Sequence, residues 1–288
     1  MIVARTRQEL ATGLAQLRSR GRQALVPTMG YLHEGHLSLV DRARSLADVV
    51  TVSIFVNPLQ FGPGEDLERY PRDEAGDLAL LEAGGAHLIF APHVKEMYLD
   101  GEPRITVDPG RGGDVLCGAW RPGHFRGVLT VVARLFGLFR PAAAVFGRKD
   151  FQQLVLIRRM VRDLELDVEV DAAPTVREED GLAMSSRNAY LSRDGRAQAP
   201  ELHRALSGLV ERFRRGERDT AGLLAGLRRH LEVAPLLTLQ YAEIVDAETL
   251  EPVERALPGS VAALAAQCGD TRLIDNEELS AVQGGVGA

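Results

Sequence analysis

Cysteine is nearly missing from this chain: its 288 residues hold only Cys117 and Cys268, far apart and in no metal or redox spacing. That excludes a disulfide framework and a cysteine-based zinc module, and the two thiols read as isolated groups in a reducing cytoplasm. Long apolar runs are missing too. None approaches the roughly 18 residues needed to cross a bilayer, so no membrane partner is expected. The opening Met1-Ile2-Val3-Ala4-Arg5 lacks the charged and apolar regions of a signal peptide. There is no excess of positive charge. The net charge of −6 argues against a nucleic-acid surface, and the clusters at Arg158-Arg159-Arg162 and Arg212-Arg214-Arg215 fall on helical stretches as solvated faces. Lysine is the last shortage, because only Lys95 and Lys149 stand among 34 basic residues. A chain this committed to arginine makes a surviving lysine a candidate for a role that arginine cannot fill. Lys95 fits chance survival on a surface; Lys149 has a more suggestive context.

What is present is an ordinary globular composition, 45% hydrophobic and 26% charged. Apolar runs at 24–27, 49–56, 88–90, 143–146 and 168–170 predict strands, with 49–56 apolar enough to be covered on both faces. Helical spacing predicts helices at 35–47, through Asp77-Leu78-Leu81 to a stop at Gly84-Gly85, and at 128–139 and 151–164. An irregular Gly-rich stretch is expected between residues 110 and 127. Strand and helix in alternation imply an α/β fold, a doubly wound parallel sheet over residues 1–175. From about Thr175 the rhythm changes to helices at 196–215 and 223–231 and strands at 240–245, 261–266 and 272–274. Residues 176–288 therefore read as a smaller α+β domain, with an unstructured tail at 284–288.

In doubly wound sheets, ligands bind beyond the carboxyl ends of the strands. Four polar segments should converge there: Thr28 to His36, Asn57 to Phe61, Gly147 to Gln153 and Met184 to Arg187. His33 and His36 are three apart at a helix start, so they share a face and suit a triphosphate held by free N–H groups. A capping pair or half of a zinc site are the alternatives. Gly35 between them lets a nucleotide approach the backbone. Lys149, after a strand end and a glycine, is placed to reach a phosphate as a mobile point charge. Met184-Ser185-Ser186-Arg187 offers hydroxyls and a guanidinium as a phosphate clamp, or is simply a polar loop. Asn57, Gln60 and Gln153 are uncharged groups suited to a polyhydroxy or carboxylate substrate, unless they are solvated loop residues. No Gly-x-Gly-x-x-Gly, Walker or Gly-x-Ser-x-Gly motif occurs.

Seven strings stand in order: Val26-Pro27-Thr28-Met29-Gly30; Leu32-His33-Glu34-Gly35-His36; Ser53 to Pro58 with Gln60-Phe61; Tyr70-Pro71-Arg72; Arg121 to Gly127; Phe146 to Gln153; and Met184 to Asn188. Together they resemble the pantothenate synthetase family, strongly over about residues 22–192 and more weakly through Tyr241-Ala242-Glu243 and Leu273 to Asn276. The resemblance implies a nucleotidyltransferase-type Rossmann-like fold, a C-terminal lid domain and a cytoplasmic homodimer. It implies ATP as co-substrate with Mg²⁺, held by Met29, Gly30, His33, Gly35, His36, Gly147, Arg148, Lys149, Asp150, Val176, Met184, Ser185, Ser186 and Arg187. His36 would be catalytic, supported by His33, Lys149 and Arg187. Gln60 and Gln153, with Asn57 and Met29, would bind pantoate, and Gln60 would also lie near β-alanine. Gly76 stands where family members usually carry an acid beside Asp77, the residue the resemblance associates with magnesium.

The implied reaction suits these residues. A carboxylate attacks the α-phosphorus without a general base and needs only alignment and charge cancellation. β-Alanine's amine, with an unperturbed pKa of about 10, must lose a proton before attacking the acyl carbon, through desolvation or a neutral histidine. The rivals are another His-x-Gly-His adenylyl- or cytidylyltransferase, and a nucleotide-sensing module without catalysis.

Overall fold

The computed structural model describes residues 1–99 and 101–280, so the expected tail at 284–288 lies outside the described residues. By its internal contacts the chain divides into two units, one of Met1–Asp114 with Arg121–Val176, the other of Val115–Trp120 with the chain from Arg177 onward.

The first unit opens with strand β1 (Ile2–Ala4) and helix α1 (Arg7–Leu17), followed by β2 (Gln23–Thr28), α2 (Glu34–Leu46), β3 (Val49–Ile54), α3 (Glu74–Ala83) and β4 (Leu88–Phe90). After the short helix α4 (Val94–Met97) and α5 (Cys117–Trp120), which belongs to the second unit, come α6 (His124–Phe139), β5 (Ala143–Gly147), α7 (Phe151–Asp163) and β6 (Glu169–Ala173). All six strands are parallel, in the order β1-β4-β3-β2-β5-β6. The α/β doubly wound sheet expected from the alternation is therefore present. β3 is buried along almost its whole length, as its continuous apolar run requires. One core cluster packs Val26, Val50, Val52, Ile89 and Val145 of the sheet against Leu39, Val40 and Ala43 of α2 and Leu81 of α3. Helix α6 ends where Arg140 turns left-handed (φ 49°) ahead of Pro141, which cannot continue it.

Three expectations need correction. The first strand and helix escaped the apolar-run reading because three residues carry no periodicity. Yet Thr6-x-x-Glu9 forms a capping box on α1, a signature legible in the sequence. The helix expected at 196–215 is two, α8 (Arg193–Gln198) and α9 (Glu201–Arg214), parted at Pro200, which has no N–H to continue the hydrogen-bond ladder of α8. The irregular stretch at 110–127 contains a 3-10 turn at Gly110–Gly113, helix α5 and the first turn of α6.

The second unit packs α9 and α10 (Thr220–Leu231) on an antiparallel sheet in the order β7-β8-β9, made of Leu237–Val245, Val261–Cys268 and Thr271–Glu278. Leu202, Leu206, Leu209 and Phe213 of α9 meet Leu264, Ala266 and Leu273 of the sheet in its core. Segment 115–120 is tied to this unit through Cys117, whose Sγ lies 3.2 Å from the Tyr241 hydroxyl and 3.4 Å from Arg272 Nη2. Arg177 grips the buried Asp275 with two hydrogen bonds, at 2.7 and 3.1 Å, and bonds Glu277 at 2.7 Å. Removing one partner of such a pair strands a buried charge, at a cost of about 3 kcal/mol or more. Arg177→Met is accordingly expected to lower stability by about 3 kcal/mol in urea unfolding followed by circular dichroism. A loss no larger than that of an ordinary surface substitution would show that the pair carries little weight.

Candidate active site

The strand order reverses between β2 and β5: the chain proceeds from β2 to β3 and β4 on one side, and from β5 to β6 on the other. At such a switch point the loops leaving the two strands part to opposite faces and open a crevice at the carboxyl edge. Thr28 ends β2 and leads into Met29 to His36; Gly147 ends β5 and leads into Arg148, Lys149 and Asp150. Two of the four segments picked out in the sequence thus flank one crevice. A third, Asn57 to Phe61, follows β3, the other neighbour of β2.

His33 caps α2, its Nδ1 accepting from Gly35 N–H at 3.1 Å, while His36 Nδ1 accepts from His33 N–H at 3.3 Å. The rings lie 4.1 Å apart between centroids. The capping-pair alternative is therefore realised, and it determines the tautomers. A neutral imidazole whose Nδ1 accepts must carry its proton on Nε2, so each ring offers a donor at Nε2. Protein surrounds His36 on most sides although water reaches part of its ring. This enclosure, aided by the neighbouring His33 and Lys149, pushes its pKa down to about 3. His36 is thus a neutral hydrogen-bond donor, without the lone pair on Nε2 that a base would need.

Asp77 is buried beneath this loop, and its carboxylate accepts from Tyr31 N–H at 2.8 Å and Leu32 N–H at 2.7 Å. Those amides converge because Gly30 (φ 84°) and Tyr31 (φ 52°) both take left-handed backbone. A side chain at residue 30 would meet Asp77 Oδ2 at 2.9 Å, so glycine is required on steric grounds as well. Burial raises the Asp77 pKa, and the two N–H groups oppose that shift. The carboxylate associated with magnesium by resemblance is thus engaged by backbone. Among the described residues, no group of three or more His, Cys, Asp or Glu stands together to hold a metal.

Gln60 is held through its backbone as well as its side chain. Its backbone carbonyl accepts from His124 Nδ1–H at 2.8 Å and from Arg121 Nη2 at 3.3 Å. Arg121 also donates to His124 Nε2 (3.0 Å), which fixes the proton on Nδ1, and pairs with both Glu65 oxygens at 2.7 and 2.5 Å. Burial, followed by the Arg121 charge, lowers the His124 pKa to about 3. Helix α6 approaches this turn so closely that a side chain at Gly127 would fall 2.2 Å from the Leu59 carbonyl oxygen. Asn57 is buried to 1% exposure and spends every hydrogen-bonding valence inside the protein. Oδ1 accepts from Tyr98 O–H (2.8 Å) and Leu59 N–H (3.3 Å), and Nδ2 donates to Gln60 Oε1 (3.0 Å) and Gly127 O (3.1 Å). A group so committed is tied into the support of Gln60 and leaves no spare amide valence of its own. The sequence reading passed over Tyr98, Arg121, His124 and Glu65, although Arg121 and His124 stand in one of the seven strings.

Lys149 and Arg148 lie in the 3-10 turn that runs into α7, whose start no side chain caps, and Lys149 Nζ is 3.8 Å from Asp150 Oδ1. Gln153 is the third residue of α7, while its neighbour Gln152 is turned inward, donating to Gly112 O at 2.8 Å. Val176 lies three residues beyond β6, whose last pair sets Ala173 beside Gly147. In the second unit, Ser185 Oγ accepts from Arg187 N–H at 3.3 Å as the chain enters the turn Ser186–Tyr190. Asn188 Nδ2 anchors the loop to Glu178 Oε1 (2.7 Å) and Ala183 O (3.2 Å).

The two depressed histidines have a measurable signature. Below about pH 6.5 the unfolded chain binds protons that folded His36 and His124 refuse, so both contribute a loss of stability as pH falls. Their imidazole carbon-bound proton resonances are expected to show no inflection between pH 5 and 8 in NMR titration. A midpoint near 6.5 for either would contradict its neutral, enclosed state.

The sequence matches the family model described as pantoate-beta-alanine ligase over residues 2–278. A pantothenate synthetase from Pseudomonas entomophila is 51% identical over 280 residues, 96% of each chain. The crystal structure of pantothenate synthetase from Thermus thermophilus aligns with a TM-score of 0.92 at 49% identity, covering 97% of this chain and all of that one. The structure of pantoate-beta-alanine ligase from Francisella tularensis complexed with beta-gamma ATP and beta-alanine aligns at 0.80 and 32% identity, over 97% and 98% of the chains. This chain belongs to the pantoate–β-alanine ligase family.

Proposed function

We propose that this protein joins pantoate to β-alanine at the expense of ATP, giving pantothenate, AMP and diphosphate through a pantoyl-adenylate. The observation that carries the reading is the meeting of the His-x-Gly-His helix start and the Lys149 turn at one switch point, in a chain of this family.

In the first half-reaction a pantoate carboxylate oxygen bonds to the α-phosphorus and the bond to diphosphate breaks. His33 and His36 donate from Nε2 to phosphate oxygens, and the Lys149 ammonium follows the charge onto the leaving diphosphate. Neutral donors suit this task because they gather electron density without surrendering a proton. Gln60 and Gln153 hold pantoate, with Met29 beside Gln60. In the second half-reaction the β-alanine amine, freed of its proton as water is excluded, attacks the acyl carbon and AMP leaves. No covalent enzyme intermediate enters the scheme. Val176 and Met184 to Arg187 complete the ATP contacts, with residues 176–288 acting as the lid. Mg²⁺ is taken to arrive with ATP, and no step is assigned to it, because Asp77 is engaged elsewhere. The enzyme is taken to work as a cytoplasmic homodimer, following the resemblance.

Incubation with ATP and labelled pantoate, without β-alanine, is expected to release about one equivalent of diphosphate and retain label that denaturation frees. Label surviving denaturation on the protein would sink the scheme. Lys149→Arg preserves charge but replaces a compact ammonium with a planar fork, and a misplacement of about 1 Å costs on the order of 10²-fold. Single-turnover adenylation is expected to fall by about that factor, while supplied pantoyl-adenylate is aminated at a nearer-normal rate. Wild-type adenylation in the folded variant would refute the assignment.

A further inference from the structure

We propose that Tyr98 is a positioning residue for pantoate recognition: through Asn57 it fixes the Gln60 amide so that the NH₂ group, not the carbonyl, faces the substrate. The inference rests on the reading that Gln60 binds pantoate.

Two backbone groups set the polarity of the relay. Leu59 N–H can only donate and Gly127 C=O can only accept, so the Asn57 amide has one possible orientation, Oδ1 towards Leu59 and Nδ2 towards Gly127. Tyr98, whose hydroxyl lies 2.8 Å from that Oδ1, must then be the donor. On the far side Asn57 Nδ2 points at Gln60 from 3.0 Å, and only the Gln60 carbonyl can meet it. The Gln60 NH₂ is thereby turned the opposite way, where its neighbour is the Met29 sulfur at 3.1 Å. A thioether is a weak acceptor, so these donors are readily transferred to a carboxylate or hydroxyl oxygen.

Tyr98 is equipped to hold its end. It is buried to 5% exposure, and burial raises its pKa well above that of a free phenol, keeping the proton in place. Its ring is braced by the edge of Phe55, with centroids 6.0 Å apart, and by Arg134, whose guanidinium carbon lies 5.4 Å from the ring centre. Tyr98 follows β4 and Asn57 follows β3, and these strands are paired neighbours. The Gln60 amide is thus oriented from the end of α4, beyond the neighbouring strand β4 and 38 residues further along the chain than Gln60.

The test compares KM for pantoate, KM for ATP and kcat in wild type, Gln60→Ala, Tyr98→Phe and Asn57→Asp, with thermal melts confirming the fold. Tyr98→Phe removes one oxygen atom and is expected to raise KM for pantoate about tenfold, leaving KM for ATP within about twofold. Asn57→Asp replaces the donor facing Gln60 by an acceptor and turns the Gln60 carbonyl outward. It is expected to impair pantoate as severely as Gln60→Ala, although Gln60 is intact, and it decides the matter if Tyr98→Phe does not fold. A residue of 4-aminophenylalanine at position 98 keeps a donor for Asn57 and should restore the pantoate KM, which a merely structural role would not predict. The relay is overturned if Gln60→Ala raises the pantoate KM while folded Tyr98→Phe and Asn57→Asp do not. It also falls, together with the Gln60 assignment, if Gln60→Ala leaves that KM unchanged. Absence of pantoate-dependent turnover in the wild type would instead overturn the proposed function itself.

Discussion

The parallel pairing of β2 with β5 is the constraint on which the site depends. Ala24 and Leu25 lie in register with Ala143 and Ala144, joining strands more than a hundred residues apart in the chain. Small and apolar residues there let the strands lie flat between helices on both faces, and the reversal of strand order that follows parts the two loops. The histidines and the lysine owe their common crevice to this pairing. Everything nearer the chemistry refines a position that the sheet has already set.

Much of this was legible in the sequence because it follows from local rules. Continuous apolar runs predicted central strands, and α2 began where the His-x-Gly-His string placed it. Most of the misses share one physical cause: the deciding interactions are remote. β1 is a strand only because it pairs with β4, across more than eighty residues. The partners of Asn57, Tyr98 and Gly127, are remote as well, and no local pattern connects them to it. The Arg121–Glu65–His124 support of Gln60 is hidden in the same way, since its partners lie 56 to 64 residues apart. The break at Pro200 is different, for proline announces its effect locally.

The electrostatics of the first unit favour direction over charge. His36 and His124 are both held neutral, and in each a single hydrogen bond to one ring nitrogen decides what the other can do. Gln60 is treated alike, its amide oriented by groups of unambiguous polarity. Groups held this way present donors and acceptors in fixed directions. In the proposed reaction Lys149 supplies the mobile charge that follows the phosphates.

Asp77 carries a consequence of its own. Two backbone amides brought together by left-handed residues make a concavity suited to anions, and here the protein fills it with its own carboxylate. The turn of the loop is therefore held by an internal counter-ion. A nucleotide entering the proposed site would meet this turn already formed, which lowers the ordering cost of binding. Those two amides are committed to Asp77, so the phosphate contacts proposed for this loop fall to the His33 and His36 rings.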